Sequence, residues 1–434
     1  MIASGAFLPT LSTHRVWRLF ALFMLYTAQG VPEGLLYIAV PAWLAAKGVA
    51  PEAIGGYIAI ILLPWSLKLI NGLIMDRVAY LPMGRRRPWV IGAQGALVLT
   101  LIVFGARVPD GEALTFLIVT GFLVNLSAAF QDVAIDGMAI DVVPEEERAR
   151  ANGVMWGGKT LGIAGAAFVT GSVINAYGFA RAALVTAAVV ALIMVVPIVL
   201  RERPGERLMP WTAGAPAPDA AARQLHAWAP LAMRLLRALM PLGSLLFAAG
   251  IFVAFTGYGL EQAYAPVLAV QTLDWTDEGY SRLASLANLA GGVFGVGVAG
   301  VLADRFGALR TLMVTLLAMA VLQGAMAGAP GAWAEIFAVF KVTYLMLFVL
   351  MSVSLYAAAM ALCVPAVAAT QFSVYMAVLN FGTAFGAQRF GAIEAASGYG
   401  GVLMTAGGVC FAGAGLFLLA GRFAGERPLR ADPG

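Results

Sequence analysis

Four carboxylates and three lysines lie inside long apolar stretches of this 434-residue sequence, where charge is costly. They are Glu33, Asp132, Asp136, Glu261, Lys68, Lys159 and Lys341. An ionisable residue at a bilayer centre costs about 2.5–3.5 kcal/mol on insertion scales and is by default a functional site. Three of the four lysines of the chain belong to this set. These residue types predict proton exchange at the carboxylates and attraction of an anionic substrate group by the lysines.

Asp132 and Asp136 are four residues apart, which puts both carboxylates on one face of a helix. A rise of about 1.5 Å per residue brings Lys159 near the depth of Asp132, and Lys68 near that of Asp136. Two close carboxylates disfavour joint ionisation, and this favours proton binding. The structural alternative is a set of buried ion pairs that only hold the helices together, although such pairs are weak stabilisers.

Glu33 lies in a segment, 29–34, whose glycines and proline should kink the helix and free backbone groups to line a cavity. Glu261 occupies the equivalent place in the second half of the chain. A symmetric acidic pair is expected at a central site, and the alternative is a hinge with a satisfied carboxylate near the outer interface. The remaining substrate-binding candidates are Gln131, Gln262 and Trp156, although such aromatic residues more often serve packing.

The composition predicts an integral membrane protein. Hydrophobic residues make up 61% of the chain and charged residues 12%, with a mean hydropathy of +0.87. The formal charge of +4 falls in short clusters between apolar runs, which argues against nucleic-acid binding. Two histidines in polar segments and two cysteines in apolar ones give no metal-ligand spacing or disulfide framework. We therefore expect no metal, no cofactor and no enzymatic activity.

The apolar runs predict twelve transmembrane helices, since about 20 apolar residues cross the hydrocarbon core. The predicted spans are 16–45, 52–75, 88–107, 113–142, 149–176, 181–200, 238–269, 279–302, 308–328, 333–358, 362–390 and 396–421. We expect an N-terminal six-helix bundle over 1–200, a polar, proline-rich cytoplasmic linker over 201–237 and a C-terminal six-helix bundle over 238–434. With the N-terminus inside, 19 of the 27 Lys and Arg residues fall in cytoplasmic segments. Both termini are therefore predicted to be cytoplasmic.

An internal repeat supports the division into halves. Glu33 and Glu261 are 228 residues apart, and so are Asp76 and Asp304. Each of these aspartates precedes an arginine in a loop with glycines and further arginines. Two independent features with one offset indicate a duplicated six-helix unit.

The loop pattern Gly-x-x-x-Asp-Arg-x-Gly-x-x-Arg, in Gly300 to Arg310 and more loosely in the first half, resembles the signature of the major facilitator superfamily. The resemblance implies an all-α integral membrane fold of two six-helix bundles, related by a pseudo-two-fold axis along the membrane normal. It also implies that the aspartates and arginines of these loops latch the cytoplasmic side. The expected cytoplasmic gate consists of Gly72, Asp76, Arg77, Arg85, Arg86, Asp141, Arg148, Gly300, Asp304, Arg305 and Arg310.

Further stretches resemble the AmpG-type muropeptide permeases, a group with acetyl-CoA transporter relatives and some siderophore importers. They are the segment from Ala129 to Arg148, the segment 369–373, and Lys68 upstream of the first loop. The resemblance implies proton-driven uptake across the bacterial inner membrane. This chain has Met138-Ala139-Ile140 where muropeptide permeases usually carry a lysine.

We therefore expect a multi-pass inner-membrane symporter that takes up an amphiphilic organic anion or zwitterion, muropeptide-like, by alternating access. A siderophore importer of the same family is the first alternative. An uncoupled metabolite exporter and a non-transporting membrane sensor are the others. The expected partners are a small-molecule substrate, protons and membrane lipid, with no nucleic acid, and the chain is expected to act as a monomer.

Overall fold

The computed structural model describes residues 9–106, 113–144, 147–218, 235–363 and 368–423. Within these ranges some side chains remain outside the description, including those of Asp76, Arg77, Arg148 and Asp304 of the expected gate. The described ranges contain helices and no strand. Eleven of the described helices are long and apolar enough to cross a membrane. The predicted all-α membrane architecture is confirmed.

Within the described residues, the first half of the chain forms eight α-helices, two pairs of which continue one another. They are α1 (Arg15–Gly34), α2 (Val40–Ala46), α3 (Pro51–Ser66), α4 (Lys68–Arg77), α5 (Arg87–Ala106), α6 (Ala113–Val142), α7 (Arg148–Tyr177) and α8 (Phe179–Val199). A π-helix, Leu35–Ala39, joins α1 to α2, and Pro32 lies just before it. Only Leu67 separates α3 from α4. The predicted irregularity after Glu33 is therefore a π-helical turn.

The second half forms α9 (Leu242–Val267), α10 (Asp277–Phe294), α11 (Gly300–Phe306), α12 (Ala308–Ala327), α13 (Trp333–Leu362) and α14 (Ala368–Phe423). A π-helix, Leu268–Thr272, follows α9, as one follows α1. Inside the 56-residue α14, Gly398 has φ 63° and ψ −176°. Helix α14 would extend over about 84 Å if straight, and the hydrocarbon core is about 30 Å thick. Gly398 therefore divides α14 at the boundary between the last two predicted spans.

Helices α1 and α7 approach each other closely because glycines of both face the contact. A Cβ atom on Gly30 would lie 2.2 Å from the carbonyl oxygen of Lys159, and one on Gly162 would lie 2.4 Å from that of Thr27. Gly158 contacts the carbonyl oxygen of Phe23 in the same way. Small residues four apart are a common basis for tight packing of membrane helices. This contact brings the backbone of Lys159 against the helix that carries Glu33.

The second half repeats this packing between α9 and α14. A Cβ on Gly382 would lie 2.4 Å from the carbonyl oxygen of Phe252, and one on Gly386 would lie 2.0 Å from that of Thr256. The Gly-x-x-x-Gly pair of α14 follows that of α7 by 224 residues, close to the offset of the two glutamates. The duplicated pattern thus extends to helix packing.

By internal contacts the chain divides into two compact units. Unit 1 comprises Met1–Lys47, Leu67–His226 and Trp275–Leu289, and unit 2 comprises Gly48–Ser66, Ala227–Asp274 and Ala290–Gly434. In unit 1, Ser285 of α10 donates a hydrogen bond to the carbonyl of Ala164 in α7 at 2.8 Å. In unit 2, α3 packs on α14, where Glu52 and Gly391 lie in direct contact. The two halves inferred from the repeat, 1–200 and 238–434, stay a prediction.

Candidate functional site

Lys159 and Glu33 form an ion pair inside unit 1. The Lys159 Nζ atom lies 2.9 Å from Glu33 Oε1, and the two side chains are only 17% and 10% exposed. The ammonium also lies 5.6 Å from the centre of the Trp156 ring. The depth argument had placed Lys159 level with Asp132. The structure pairs its ammonium with Glu33 of α1, the helix against which α7 packs through glycines.

Lys68 pairs with Asp132, whose side chain is 4% exposed. Lys68 is the first residue of α4, directly after the break at Leu67. The second oxygen of Asp132 accepts a hydrogen bond of 2.6 Å from Gln29 Nε2 of α1. The depth argument had placed Lys68 level with Asp136, and the structure pairs it with Asp132, one helical turn closer to the N-terminal end of α6.

Asp136 accepts a hydrogen bond from the hydroxyl of Tyr26. Its side chain is partly buried, and in the described part of the chain no lysine forms an ion pair with it. Sequence reasoning singled out neither Tyr26 nor Gln29. Both lie on the face of α1 that carries Glu33, at helical spacings of seven and four residues. That spacing was the available signal.

These residues form one electrostatic group, called here the unit 1 cluster: Glu33, Asp132, Asp136, Lys68 and Lys159. Glu33 interacts with the charges of Asp132 and Lys68 in addition to Lys159. Asp136 interacts with the charges of Asp132, Lys68 and Lys159. The structure therefore brings together five of the seven charges found in the sequence. Full ionisation gives the cluster a net charge of −1.

The other two charges pair with each other in unit 2. Lys341 Nζ of α13 lies 2.5 Å from Glu261 Oε1 of α9, with side chains 9% and 1% exposed. Next to Glu261, Gln262 donates a hydrogen bond to the hydroxyl of Tyr258. The Tyr258 ring stacks on Phe348 at a centroid distance of 3.8 Å. Unit 2 thus combines a buried ion pair with an adjacent aromatic stack.

Among the other binding candidates, the two side chains differ in surroundings. Gln131 is fully buried, and its Nε2 donates to the carbonyl of Leu25 in α1 at 3.1 Å. Trp156 is 47% exposed. Gln131 therefore holds α6 against α1, and Trp156 offers an accessible ring beside Lys159.

The arginine loop, residues 84–87, forms contacts within unit 1. Arg85 Nη1 lies 3.3 Å from both carboxylate oxygens of Asp141. The backbone N–H groups of Arg85, Arg86 and Arg87 all donate to the buried carboxylate of Glu202, at 3.2, 2.9 and 2.5 Å. Sequence reasoning missed Glu202, because it lies in a segment predicted to be a solvated linker. The expected contact between Asp141 and this loop is present.

Arg87 is almost completely buried and donates to backbone carbonyls on several segments. Its acceptors are the carbonyl oxygens of Met83, Pro197, Ile198, Arg207 and Leu208. The N-terminal segment joins this network, since Leu11 and Ser12 donate to the carbonyls of Arg201 and Glu202 at 2.9 Å. The first part of the predicted linker is therefore an ordered component of unit 1.

The second loop of the repeat lies in unit 2. Gly300 begins α11, and Arg305 and Arg310 line a cavity of about 690 Å³ together with Phe247 and Phe306. In the first loop, a Cβ on Gly72 would lie 3.7 Å from the Val133 side chain, so α4 and α6 are in ordinary contact there. The role of these residues as a gate stays a prediction.

Glu206 gives the arginine-loop region a pH-dependent stability. Burial and the neighbouring charge of Glu202 raise the pKa of Glu206 to about 7. A carboxyl whose pKa is higher in the folded state than in the unfolded state adds to the free energy of unfolding. This contribution is complete below the unfolded pKa of about 4.5 and is lost as the pH rises through about 7. We expect the melting temperature of the wild type to fall between about pH 5 and about pH 8. Glu206→Gln should flatten that part of the profile, and an unchanged profile would contradict the assignment.

Comparison with known proteins agrees with this architecture. The sequence profile of the Major Facilitator Superfamily matches residues 19–387. The chain belongs to the major facilitator superfamily. A crystal structure of a mutant of the nucleoside transporter NupG superposes with a TM-score of 0.70 at 13% identity, over 93% of this chain and 99% of that one. A peptide-bound transporter of the POT family gives 0.69 at 14% identity, over 94% and 96%. At such identities these likenesses show the superfamily fold alone.

Sequence relatives within the superfamily support the AmpG resemblance. Transporter AmpG 4 of Rickettsia conorii is 26% identical over 44% of this chain and 48% of its own length. Anhydromuropeptide permease of Escherichia coli K12 is 27% identical over 33% and 28%. Folate-biopterin transporter of Synechocystis is 29% identical over 37% and 32%. The chain thus spans less than half of each of these relatives.

Proposed function

We propose that this superfamily member is a proton-coupled secondary active transporter that takes up an amphiphilic organic anion or zwitterion by alternating access. The observation that carries the proposal is the unit 1 cluster, two lysines and three carboxylates within membrane-spanning helices. A structural role alone would not favour so many charges, since buried pairs stabilise weakly. The proposed membrane is the bacterial inner membrane, with both chain termini in the cytoplasm.

A muropeptide-like sugar–peptide is the leading substrate class. The relatives named AmpG 4 and anhydromuropeptide permease favour it. Such a molecule carries carboxylates that the lysines of the cluster would attract and an apolar sugar face that Trp156 would cover. Trp156 lies beside Lys159, so both contacts are available in one place. A siderophore remains the alternative within the same family.

The proposal is tested with purified protein in proteoliposomes that contain an alkaline interior. We expect accumulation of an anhydromuropeptide, because one proton moved by 100 mV supplies about 2.3 kcal/mol, equivalent to about 50-fold accumulation. Folic acid and a ferric siderophore serve as comparison substrates. Flux that persists after collapse of the pH gradient would indicate an uncoupled carrier, and no flux of any of the three would contradict the proposal.

Asp132→Asn should abolish proton-driven accumulation while the protein still reaches the membrane. The change leaves Lys68 without its counter-ion, and truncating one partner of a buried charge pair costs about 2–5 kcal/mol of binding. We therefore expect uptake to fall at least about 30-fold. Lys68→Gln should behave likewise. Lys47→Gln, at an exposed lysine after α2, is the matched control and should transport normally.

A further inference from the structure

The unit 1 cluster contains one more carboxyl than it has ammonium groups. Lys159 is paired with Glu33 and Lys68 with Asp132, while Asp136 accepts a hydrogen bond from the hydroxyl of Tyr26. With all five groups ionised, the cluster holds one negative charge more than its own two ammonium groups balance. A buried charge without a partner is costly and is normally removed by binding a proton or a cation. The arrangement therefore calls for one further positive charge.

Asp136 is the carboxylate of the cluster that can be neutralised without breaking an ion pair. Protonating Glu33 or Asp132 would leave Lys159 or Lys68 buried without its partner, whereas protonating Asp136 breaks no ion pair. Asp136 is also partly exposed, while Asp132 is 3% exposed. Asp136 is therefore the less enclosed of the two aspartates.

The amide oxygen of Gln29 is a second, independent sign that the cluster takes up a further donor. Gln29 is 1% exposed, and its Oε1 atom has no hydrogen-bond partner within the described ranges. The other end of the same amide is bonded to Asp132. A buried acceptor without a donor is rare and costs about 1–3 kcal/mol. The cluster thus has an open acceptor position for one further hydrogen-bond donor.

We propose that Asp136 carries the transported proton and that Tyr26 is its positioning residue. That this proton is transported rests on the proposed function, whereas proton binding at Asp136 is independent of it. Among the described residues, Asp136 interacts with the charges of Lys68 from α4, Asp132 from α6 and Lys159 from α7, and with the Tyr26 hydroxyl from α1. The Arg86 guanidinium packs against the neighbouring Gly137 and lies 3.9 Å from Asp141. A proton from water adds to a carboxylate oxygen and neutralises the cluster. The Tyr26 hydroxyl donates to the carboxylate and accepts from the carboxylic acid, so it holds Asp136 in both states.

Infrared difference spectra of the full-length protein in lipid test the proposal without a substrate, because the C=O stretch of a neutral carboxyl reports protonation during a pH titration. We expect a titrating band in the wild type and its loss in Asp136→Asn. In Asp132→Asn and Glu33→Gln the band should remain but move to a more acid midpoint, because each change removes one negative charge from the cluster. Because Glu206 also titrates, with a pKa of about 7, the variants are compared in a Glu206→Gln background. In that background, a band with the original midpoint that survives in Asp136→Asn, or one that is absent at every pH in Glu33→Gln, would overturn the assignment.

Tyr26→Phe tests the positioning role with the carboxyl intact. A hydrogen bond to a charged group contributes about 1.5–3 kcal/mol, so its loss should favour the neutral form and move the midpoint of the band upward by about one pH unit or more. A packing role alone would leave the midpoint unchanged, and that result would contradict the role of Tyr26. The same variant also keeps the proposal testable if Asp136→Asn does not fold.

The two proposals fail in different ways. A protein that shows the Asp136 band but accumulates no substrate under a pH gradient would refute the proposed transport and leave the proton site in place. A protein that accumulates substrate under a pH gradient, but whose infrared band is unaffected by Asp136→Asn, would refute the proton assignment and leave transport in place.

Discussion

Lys159→Met is expected to destabilise the protein by about 3–5 kcal/mol and to abolish transport. The change leaves the Glu33 carboxylate buried without the ammonium that lies 2.9 Å away. Breaking a buried ion pair from one side has a cost of this size because the remaining charge is uncompensated. Thermal denaturation in detergent measures the first effect, and uptake into proteoliposomes measures the second.

The double variant Lys159→Met with Glu33→Gln separates stabilisation from function. Replacing both partners of a buried pair with neutral groups is often neutral for stability, so most of the lost stability should return. Transport should not return, because the lysine is proposed to attract the substrate. Recovery of both properties would show that the pair only holds α1 against α7. Lys341→Met with Glu261→Gln is the equivalent double change in unit 2.

Gly158→Val is expected to prevent the native packing of α1 on α7. An added Cβ at Gly158 would lie 2.4 Å from the carbonyl oxygen of Phe23, a distance that side chains do not occupy. The helices would have to separate, so we expect loss of most folded protein in size-exclusion chromatography and a collapse of thermal stability. Overpacking in a rigid contact commonly costs about 1–3 kcal/mol, and a backbone clash costs more.

Gly157→Val is the matched control, one residue away on the same helix. Nothing lies within 4 Å of a Cβ at Gly157, so this variant should fold like the wild type. Equal behaviour of the two variants would contradict the close contact of α1 and α7. A defect confined to Gly158→Val would support it, because both variants add the same side chain to the same helix.

The sequence predicted the spans and the charged residues well because both signals are local. Apolar runs of sufficient length define the helices, and Glu33, Asp132, Lys68 and Lys159 stand out by their charge alone. The pairing of these charges could not be predicted, since rise along a helix gives depth and not the direction of a side chain. Direction depends on the glycine contact of α1 with α7 and on the break at Leu67.

Glu202 and Arg87 show a different limit of sequence reasoning. Arginines beside an apolar run are ordinarily read as topology signals, and a polar, proline-rich segment as a solvated linker. The carboxylate of Glu202 instead receives three backbone N–H groups, and the guanidinium of Arg87 is bonded to backbone carbonyls. Backbone partners leave no mark in the sequence, so this network could not be predicted.

The break at Leu67 gives the Lys68–Asp132 ion pair more freedom to move than the Lys159–Glu33 ion pair. The chain passes from unit 2 into unit 1 between Ser66 and Leu67, and Lys68 is the second residue after that passage. Lys159, by contrast, lies in a helix pair locked by glycine contacts. A rotation of the backbone at Leu67 would move the Lys68 side chain and change its distance to Asp132. The distance between Lys159 and Glu33 would stay the same. We therefore expect the Lys68–Asp132 ion pair to open and close during the transport cycle, and the Lys159–Glu33 ion pair to remain formed.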